Sequence, residues 1–288
     1  MTPASPEQFK DAVRQAWDES ASGWNHQTPA IHDWLAAPTA ALLDAARIGP
    51  GMRVLDIAAG AGDQTLDIAH RVGDSGRVLA TDISPAILQF ASKNAHQAGL
   101  AQVQTRVSDA EDLALDETGF DAALCRLGLM LCPDPLRALR QMHRVLRPGG
   151  HAAVLVFSEP QRNPCIGILM TTACRHAGLG PRDPFAPGGL LSLGKPGLLQ
   201  DYFSQAGFTD VATERIYAPF QLPSARDYLH FVRTSASPIL QILGHLNPEA
   251  RELAWEDMEE QLEVFQLPDG GWEGPNELLL VHGMRPVG

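Results

Sequence analysis

The chain is short of cysteine and of long apolar runs. Its 288 residues include four cysteines, at Cys125, Cys132, Cys165 and Cys174. Their spacing fits neither a zinc site nor a dense disulfide framework, so we expect reduced thiols, no metal and a cytoplasmic protein. The N-terminus lacks an apolar signal core and no segment has the length of a bilayer-spanning helix, so no membrane span is expected.

Basic side chains are also scarce. The chain has 22 Lys and Arg against 34 Asp and Glu, which gives a formal net charge of −12. Such a protein gains nothing from counterion release on a phosphate backbone, and the arginines at 137–147 read as a solvated helix face. Nucleic acid is therefore not expected as a partner, and the sequence leaves both a monomer and a homodimer open.

Apolar, strand-like runs alternate with helical patterns along much of the chain. Strands are predicted at 54–58, 77–83, 103–109, 120–128, 151–157, 208–217 and 276–284. Helices are predicted at 64–72, 85–99, 135–146 and 197–206, and a Pro-Gly-Gly turn at 148–150 ends the third of them. This alternation predicts an α/β fold with a doubly wound, Rossmann-like, seven-stranded and mostly parallel sheet.

Other segments do not follow the alternation. The sheet core is predicted at 46–158, 195–217 and 276–288, and a helical cap at 1–45, 159–194 and 218–275. The cap is expected to contain helices at 166–177, 224–246 and 248–265. We expect it to cover the carboxyl ends of the strands, where α/β sheets bind ligands.

Residues 54–65 read VLDIAAGAGDQT, a strand followed by a tight glycine turn that opens a helix. Gly60 and Gly62 let the backbone approach a nucleoside closely. Asp82 follows Gly62 by 20 residues, at the end of the next strand, where a carboxylate binds ribose hydroxyls. The sequence therefore predicts a nucleoside site at these strand ends.

The acidic residues favour a cationic nucleoside without phosphate. Asp56 would repel a pyrophosphate but attract an ammonium group, and Asp109, after the third strand, can accept from an adenine amino group. Thr65 stands where a dinucleotide turn usually has its third glycine. S-adenosylmethionine is such a cation, although Asp56 could instead cap the following helix and Asp109 could be a turn residue. Asp82 could be an N-cap, but Ser84 suits that role better.

The motifs VLDIAAGAGDQT, TDIS, VSDAEDL, FDAALCRLGLML and ALRQMHRVLRPGG, followed by VFSEP, lie in this order within residues 50–160. They resemble the class I S-adenosylmethionine-dependent methyltransferases, in the branch of the ubiquinone and menaquinone biosynthesis C-methyltransferases. The resemblance implies S-adenosylmethionine as cofactor. It also implies a lid over the cofactor from the N-terminal aromatic segment, with Trp17 and Trp24.

The resemblance assigns the cofactor contacts residue by residue. The methionine and ribose side is implied to be lined by Asp56, Ala58, Gly60 and Gly62. Asp82 would hold the ribose hydroxyls and Ile83 would pack on the adenine. The adenine edge would meet Ser108, Asp109 and Ala110, and the region near the sulfonium would be closed by Cys125, Arg126 and Leu127.

We expect methyl transfer to carbon or oxygen of a small, apolar or aromatic molecule. His26, close to Trp24, is the candidate general base. The apolar acceptor is suggested by cap residues that could equally form the core of the cap: Phe185, Leu190, Leu191, Leu193, Tyr228, Phe231, Ile239 and Ile242. Two alternatives stay open, a cofactor-binding protein with no or different catalysis and a nicotinamide-dependent oxidoreductase.

Overall fold

The fold is built on one large sheet and one small one. A computed structural model describes residues 6–116, 118–235 and 237–287. Its strands are β1 Arg53–Ile57, β2 Arg77–Asp82, β3 Val103–Val107, β4 Phe120–Arg126, β5 Leu146–Phe157, β6 Thr209–Tyr217, β7 Phe220–Leu222, β8 Trp272–Gly274 and β9 Glu277–Met284. The large sheet has seven strands in the order β3-β2-β1-β4-β5-β9-β6, and β9 runs antiparallel to both of its neighbours. The predicted mostly parallel, doubly wound sheet is confirmed.

Helices follow the strands and cover the sheet. They are α1 Pro6–His26, α2 Thr28–Ala45, α3 Asp63–Val72, α4 Pro85–Gln97, α5 Pro135–Val145, α6 Pro164–His176, α7 Leu198–Gln205, α8 Ala225–Ser235, α9 Ser237–Leu243 and α10 Pro248–Leu262. Helices α2, α3 and α4 pack side by side, and α5 packs against α7. Local sequence sets several helix starts, since Ser84 and Asp134 each accept a hydrogen bond from the first turn of the helix that follows. None of the described helices is long and apolar enough to cross a bilayer.

Two large hydrophobic clusters hold the molecule together, and a third, small one joins α1 to α4. The larger one contains the strand residues of β1, β4, β5 and β9, which are buried on both faces as expected for central strands. The smaller one joins α6, α8, α9 and α10 around Trp272 of β8. These helices come from the segments 159–194 and 218–275, for which a cap over the strand ends stays a prediction.

Helix α2 does not belong to the cap, in contrast to the predicted boundary at residue 45. Its residues Ile31, Leu35 and Leu42 are fully buried in the sheet cluster. The cause is a stripe of apolar side chains at helical spacing, which packs on the sheet beside α3. Trp34 of α2 nevertheless stacks on Phe157, at the end of β5, and on Phe220 of β7, so α1 and α2 both contribute side chains at the strand ends.

The Pro148–Gly150 segment continues β5 instead of forming a separate turn. Gly149 has a φ of +76°, and its N–H donates to the carbonyl of Arg285 at 2.8 Å. The pairing of β4 with β5 shifts register between Phe120 and Ala122, opposite this segment. The strand thus absorbs the glycines as an irregularity.

Candidate functional site

A cavity lies at the carboxyl ends of β1, β2, β3 and β4, next to the point where the strand order reverses between β1 and β4. Ligands of open α/β sheets bind at this position. Its volume is about 120 Å³. Ten of the predicted cofactor residues line it: Trp24, Ala58, Gly60, Asp82, Ile83, Ser108, Asp109, Ala110, Arg126 and Leu127.

Asp82 stands at the end of β2 with a carboxylate that is nearly buried. Its Oδ2 accepts a hydrogen bond from the Gly60 N–H and its Oδ1 accepts one from the Ser84 N–H, both at 3.0 Å. Burial raises the pKa of Asp82 above its usual value, against these hydrogen bonds, which lower it. Each oxygen keeps acceptor capacity toward the cavity, as two adjacent hydroxyls of a ribose require.

The turn after β1 brings backbone to the cavity wall. Gly60 has a φ of +58° and Ala58 one of +54°, in the left-handed region that favours glycine. On the neighbouring strand, Leu127 has a φ of +57°, and Gly128 lies so close that a Cβ there would be 2.3 Å from the Ala58 Cβ. The ends of β1 and β4 therefore approach one another closely on the cavity side.

Asp109 is paired with a lysine from α1. Lys10 Nζ lies 2.6 Å from Asp109 Oδ2 and 2.6 Å from Glu111 Oε2. Burial lowers the pKa of Lys10, but the bonds to both carboxylates outweigh this effect and the pKa is raised. Asp109 Oδ1 also accepts from the Glu111 N–H at 2.8 Å, so Asp109 forms a turn as well as facing the cavity.

Asp56 does not face the cavity, in contrast to the expected contact with a ligand ammonium. It is fully buried; its Oδ2 accepts from Thr65 Oγ1 at 2.6 Å and its Oδ1 accepts from Gln64 Nε2. Strand alternation directs the side chain to the face that α3 covers. Burial raises the pKa of Asp56 to about 7, although these two hydrogen bonds oppose the shift. Asp56 thus stabilises the first turn of α3, which agrees with the alternative that it caps this helix.

Two more predicted residues, Gly62 and Cys125, lie outside the cavity wall. Gly62, with a φ of +92°, is the N-cap of α3 and packs on Ala91. Cys125 is buried, and burial raises the pKa of its thiol to about 12, so it behaves as a small apolar side chain. All four cysteines are unpaired, as expected.

His26 is not placed to act as a base. It is the last residue of α1, its side chain is exposed, and neither cavity of the strand-end region includes it. Trp24 does face the cavity, and two residues along a helix correspond to a rotation of about 200°. His26, two residues after Trp24, therefore points away from the cavity.

Arg126 lines the cavity but directs its charge away from it. Its guanidinium donates to Asp63 Oδ2 and, at 2.8 Å, to Thr39 Oγ1. Both ends of this ion pair are almost fully buried. The pair connects the end of β4 to the start of α3 and to α2, so it fixes the geometry of the strand ends.

A second cavity of about 850 Å³ adjoins the first. Its lining comes from α1, α6, α9 and the loop at 179–191 and is mainly apolar, with polar side chains at Thr171, Arg175, Arg182, Asp183 and Gln241. The two cavities share four wall residues, Phe9, Val13, Trp17 and Leu131. Of the apolar cap residues suggested for acceptor binding, Leu190, Leu191 and Ile242 line the second cavity.

The remaining suggested residues have packing roles. Tyr228, Phe231 and Ile239 lie in or against the smaller hydrophobic cluster, and Leu193 lies in the larger one. Phe185 is half-buried and does not line the second cavity. The alternative that these residues form the core of the cap therefore applies to Tyr228, Phe231 and Ile239.

Several residues in the wall of the smaller cavity were not predicted from the sequence. On α1 these are Phe9, Lys10 and Val13, which recur at helical spacing with Trp17 and Trp24. That spacing was a usable signal for one face of a helix. Glu111 and Cys132, by contrast, lie in loops where no periodic pattern identifies them.

Comparison with known proteins gives a specific match for the sheet core. Residues 31–167 match the model of the ubiE/COQ5 methyltransferase family. The chain is 40% identical over 119 residues to the ubiquinone/menaquinone biosynthesis C-methyltransferase UbiE of Idiomarina loihiensis, covering 41% of this chain and 47% of that protein. The chain thus spans about half the length of the curated relatives it matches.

Solved structures share the fold over most of the chain. The YcgJ protein from Bacillus subtilis has a TM-score of 0.58 at 20% identity, covering 87% of this chain and 98% of its own. The phosphoethanolamine N-methyltransferase 2 of Haemonchus contortus, solved with S-adenosyl-L-methionine, has a TM-score of 0.58 at 15% identity, covering 99% of this chain and 61% of its own. At these identities the likeness shows the fold alone. Over residues 31–167, just under half of its length, the chain is thus similar to the ubiE/COQ5 methyltransferase family.

Proposed function

We propose that the protein transfers a methyl group from S-adenosylmethionine to a small, apolar or aromatic molecule, at carbon or oxygen. The observation that carries this proposal is the pair of adjoining cavities. One presents the carboxylates and glycine backbone of a nucleoside site, the other is large and mainly apolar, and Phe9, Val13, Trp17 and Leu131 border both. The UbiE relative is a C-methyltransferase, which favours a carbon acceptor.

The residues of the smaller cavity fit the cofactor chemically. Asp82 binds the ribose hydroxyls through the free acceptor capacity of its two oxygens, and Ile83 packs on the adenine. Asp109 accepts from the adenine amino group without losing its bond to Lys10, because each carboxylate oxygen accepts two hydrogen bonds. When bound, S-adenosylmethionine supplies a methyl group on an electrophilic sulfonium.

The chain's own contribution is to orient the acceptor and exclude water. Methyl transfer from a sulfonium is an in-line displacement, for which positioning supplies much of the rate. The four shared wall residues are apolar and carry no titratable group. They therefore align the acceptor with the methyl group and keep water from the sulfonium, and the acceptor atom itself provides the nucleophile.

Calorimetric titration with S-adenosylhomocysteine tests the cofactor assignment. The wild-type protein is expected to bind it, and Asp82→Asn is expected to weaken binding by about tenfold or more, because one carboxylate oxygen becomes an amide donor. Asp74→Asn, an exposed carboxylate in the turn after α3, is the matched control and keeps wild-type affinity. Circular dichroism of both variants confirms folding.

Lack of binding by the wild-type protein would contradict the proposal, and tight binding of NADH in its place would favour the oxidoreductase alternative. Cofactor binding without transfer of a labelled methyl group to any of a panel of phenols and quinols would favour the protein with different catalysis. A cytoplasmic location and the oligomeric state stay predictions of the sequence.

A further inference from the structure

The larger cavity extends along one face of α6. Residues of α6 that are four positions apart lie one above the other on the same face of the helix. Two such rows line the cavity: Ile166, Met170 and Cys174, and Gly167, Thr171 and Arg175. From the first to the last of these residues the helix axis rises by about 14 Å. The cavity therefore has two separate ends along α6.

One end is apolar and lies next to the smaller cavity. Ile166 and Leu191 are buried in the larger hydrophobic cluster, and Leu131, which borders both cavities, packs against that cluster. Ser192 Oγ donates to the Met130 carbonyl at 2.7 Å, which holds the chain after Leu191 at this place. The reacting atom of an acceptor therefore lies at this end, where the two cavities meet.

The other end is polar and open to solvent. The polar side chains of the wall are all exposed, and most of them lie toward the end of α6 or in the loop that follows it. They are Thr171, Arg175, Arg182, Asp183 and Gln241. Two arginines and one aspartate give this wall a positive formal charge, although the whole chain has a net charge of −12. Such a local charge attracts the anionic part of a ligand.

The three charged residues differ in their partners. Arg175 donates to Asp257 Oδ2, a carboxylate that does not line the cavity. Asp183 Oδ1 accepts from the Phe185 N–H at 2.9 Å, so this carboxylate is engaged within its own loop. Within the described part of the chain, no side chain forms a hydrogen bond or an ion pair with the guanidinium of Arg182. All five N–H donors of Arg182 are thus available to a ligand.

The loop restricts the backbone around Arg182. Pro181 precedes it and Pro184 follows Asp183, and both prolines line the cavity as well. Proline has a fixed φ and also limits the conformation of the residue before it. A side chain on such a backbone loses less conformational entropy when it binds a ligand.

We propose that the methyl acceptor is an elongated amphipathic molecule, with an apolar or aromatic reacting end and a carboxylate at the opposite end that Arg182 binds. Arg182 thus determines specificity and contacts the substrate away from the reacting atoms. Thr171 and Gln241 line the same end and supply further hydrogen-bond donors. This inference rests on the proposed function, and it narrows the acceptor from any apolar molecule to one with an anionic end.

Calorimetric titration with matched ligands tests the inference, on protein saturated with S-adenosylhomocysteine. The ligands are phenols with a straight alkyl chain that ends in a carboxylic acid or in the corresponding primary amide, in a series of chain lengths. Once the chain is long enough to reach Arg182, the acid is expected to bind about fivefold more tightly than the amide. This preference is expected to decrease at high salt, because the ion pair is exposed.

Variants assign the preference to Arg182. Arg182→Gln is expected to reduce it to less than about twofold and to leave the affinity for the amide unchanged, whereas Arg182→Lys keeps most of it. Asp183→Asn removes a like charge and is expected to increase the preference for the acid. Arg140→Gln is the matched control, since Arg140 is an exposed arginine of α5 outside both cavities, and it should keep the wild-type preference.

Equal affinities for acid and amide at every chain length would overturn the inference, as would a preference that persists in Arg182→Gln. Failure of every phenol to bind, or tighter binding of phenols with a plain alkyl chain than of the acids, would also overturn it. A wild-type protein that does not bind S-adenosylhomocysteine would instead contradict the proposed function.

Discussion

Asp56 shows how burial changes the role of a side chain. Its carboxylate is fully buried and accepts hydrogen bonds from Gln64 and Thr65, and its pKa is raised to about 7. The folded protein thus keeps the proton on Asp56 to a higher pH than the unfolded chain, whose Asp titrates near 3.8. This group therefore lowers the free energy of unfolding as the pH rises from 3.8 to about 7.

We expect Asp56→Asn to remove this dependence. The difference in free energy of unfolding, variant minus wild type, is expected to rise by about 2 kcal/mol from about pH 5 to about pH 8. Urea unfolding at the two pH values measures it. Asp33→Asn, whose side chain is 89% exposed, is the control and should track the wild type. A constant difference between Asp56→Asn and wild type across this range would show that Asp56 is ionised throughout.

The position of a residue at the cavity could be predicted where the backbone sets it and not where side-chain packing does, while the role of each residue in cofactor binding stays a prediction. Gly60, Asp82 and Asp109 lie at or just after strand ends, and parallel strands bring their ends to one edge of the sheet. Asp56 lies inside its strand, so its side chain direction depends on which face α3 covers. His26 is close to Trp24 in sequence, but the helix turns its side chain outward.

At the scale of elements, the close crossing of α1 and α8 depends on Gly23, which has no side chain. The Cβ of an alanine at Gly23 would lie 2.1 Å from the carbonyl oxygen of Thr234, a backbone atom that cannot rotate away. Gln27, directly after α1, also donates to Thr234 Oγ1 at 2.9 Å, which connects the chain to α8 at this point. The crossing thus holds the second half of α1 against α8.

Gly23→Ala is expected to destabilise the protein even though alanine favours helix. The gain in helix propensity is about 0.5 to 1 kcal/mol, and forcing the two helices apart costs about 1 to 3 kcal/mol. Gly167→Ala in α6, where nothing lies within 4 Å of the new Cβ, is the control and should be neutral or stabilising. Urea midpoints compare the two, and a stabilised Gly23→Ala protein would contradict the close crossing.

Element boundaries were predictable where one pattern dominated. The helix at 85–97 and the strand at 77–82 have clear periodicity, and Ser84 marks the start of the helix. The Pro-Gly-Gly segment at 148–150 lacked such a signal, because its pairing with Arg285 comes from far along the chain. Strands β7 and β8, of three residues each, are likewise defined by each other and not by their own sequences.

At the scale of the whole molecule, the two large hydrophobic clusters support the walls of different cavities. The described wall of the smaller cavity comes from α1, the first turn of α4, the strand ends and their loops, whereas α6 and α9 contribute to the larger cavity. Trp272 is at the centre of the smaller cluster, stacks on Tyr228 with ring centres 5.0 Å apart, and donates to the Leu262 carbonyl at 2.8 Å. Destabilising the smaller cluster should therefore affect the larger cavity, which we propose binds the acceptor, more than the smaller cavity.

We expect Trp272→Ala to destabilise the cap by about 3 to 5 kcal/mol. Hydrogen exchange should quicken in α6, α8 and α10, while the affinity for S-adenosylhomocysteine changes by less than about twofold. Tyr217→Ala, an aromatic residue that is 58% exposed on β6, is the control and should leave the exchange of these helices unchanged. Equal loss of cofactor affinity and cap protection in Trp272→Ala would mean that the two clusters form one cooperative unit.

Strand β9 has a consequence for how the chain folds. It lies between β5 and β6 and pairs with both, yet it follows them in sequence, and residues 218–276 separate it from β6. Until β9 is in place, β5 and β6 have no common partner and each presents an open edge that invites pairing with other chains. Inserting β9 closes the loop that contains α8, α9 and α10, a non-local step and therefore a slow one. The large sheet and the segment that contains α8, α9 and α10 are thus completed together, late in folding.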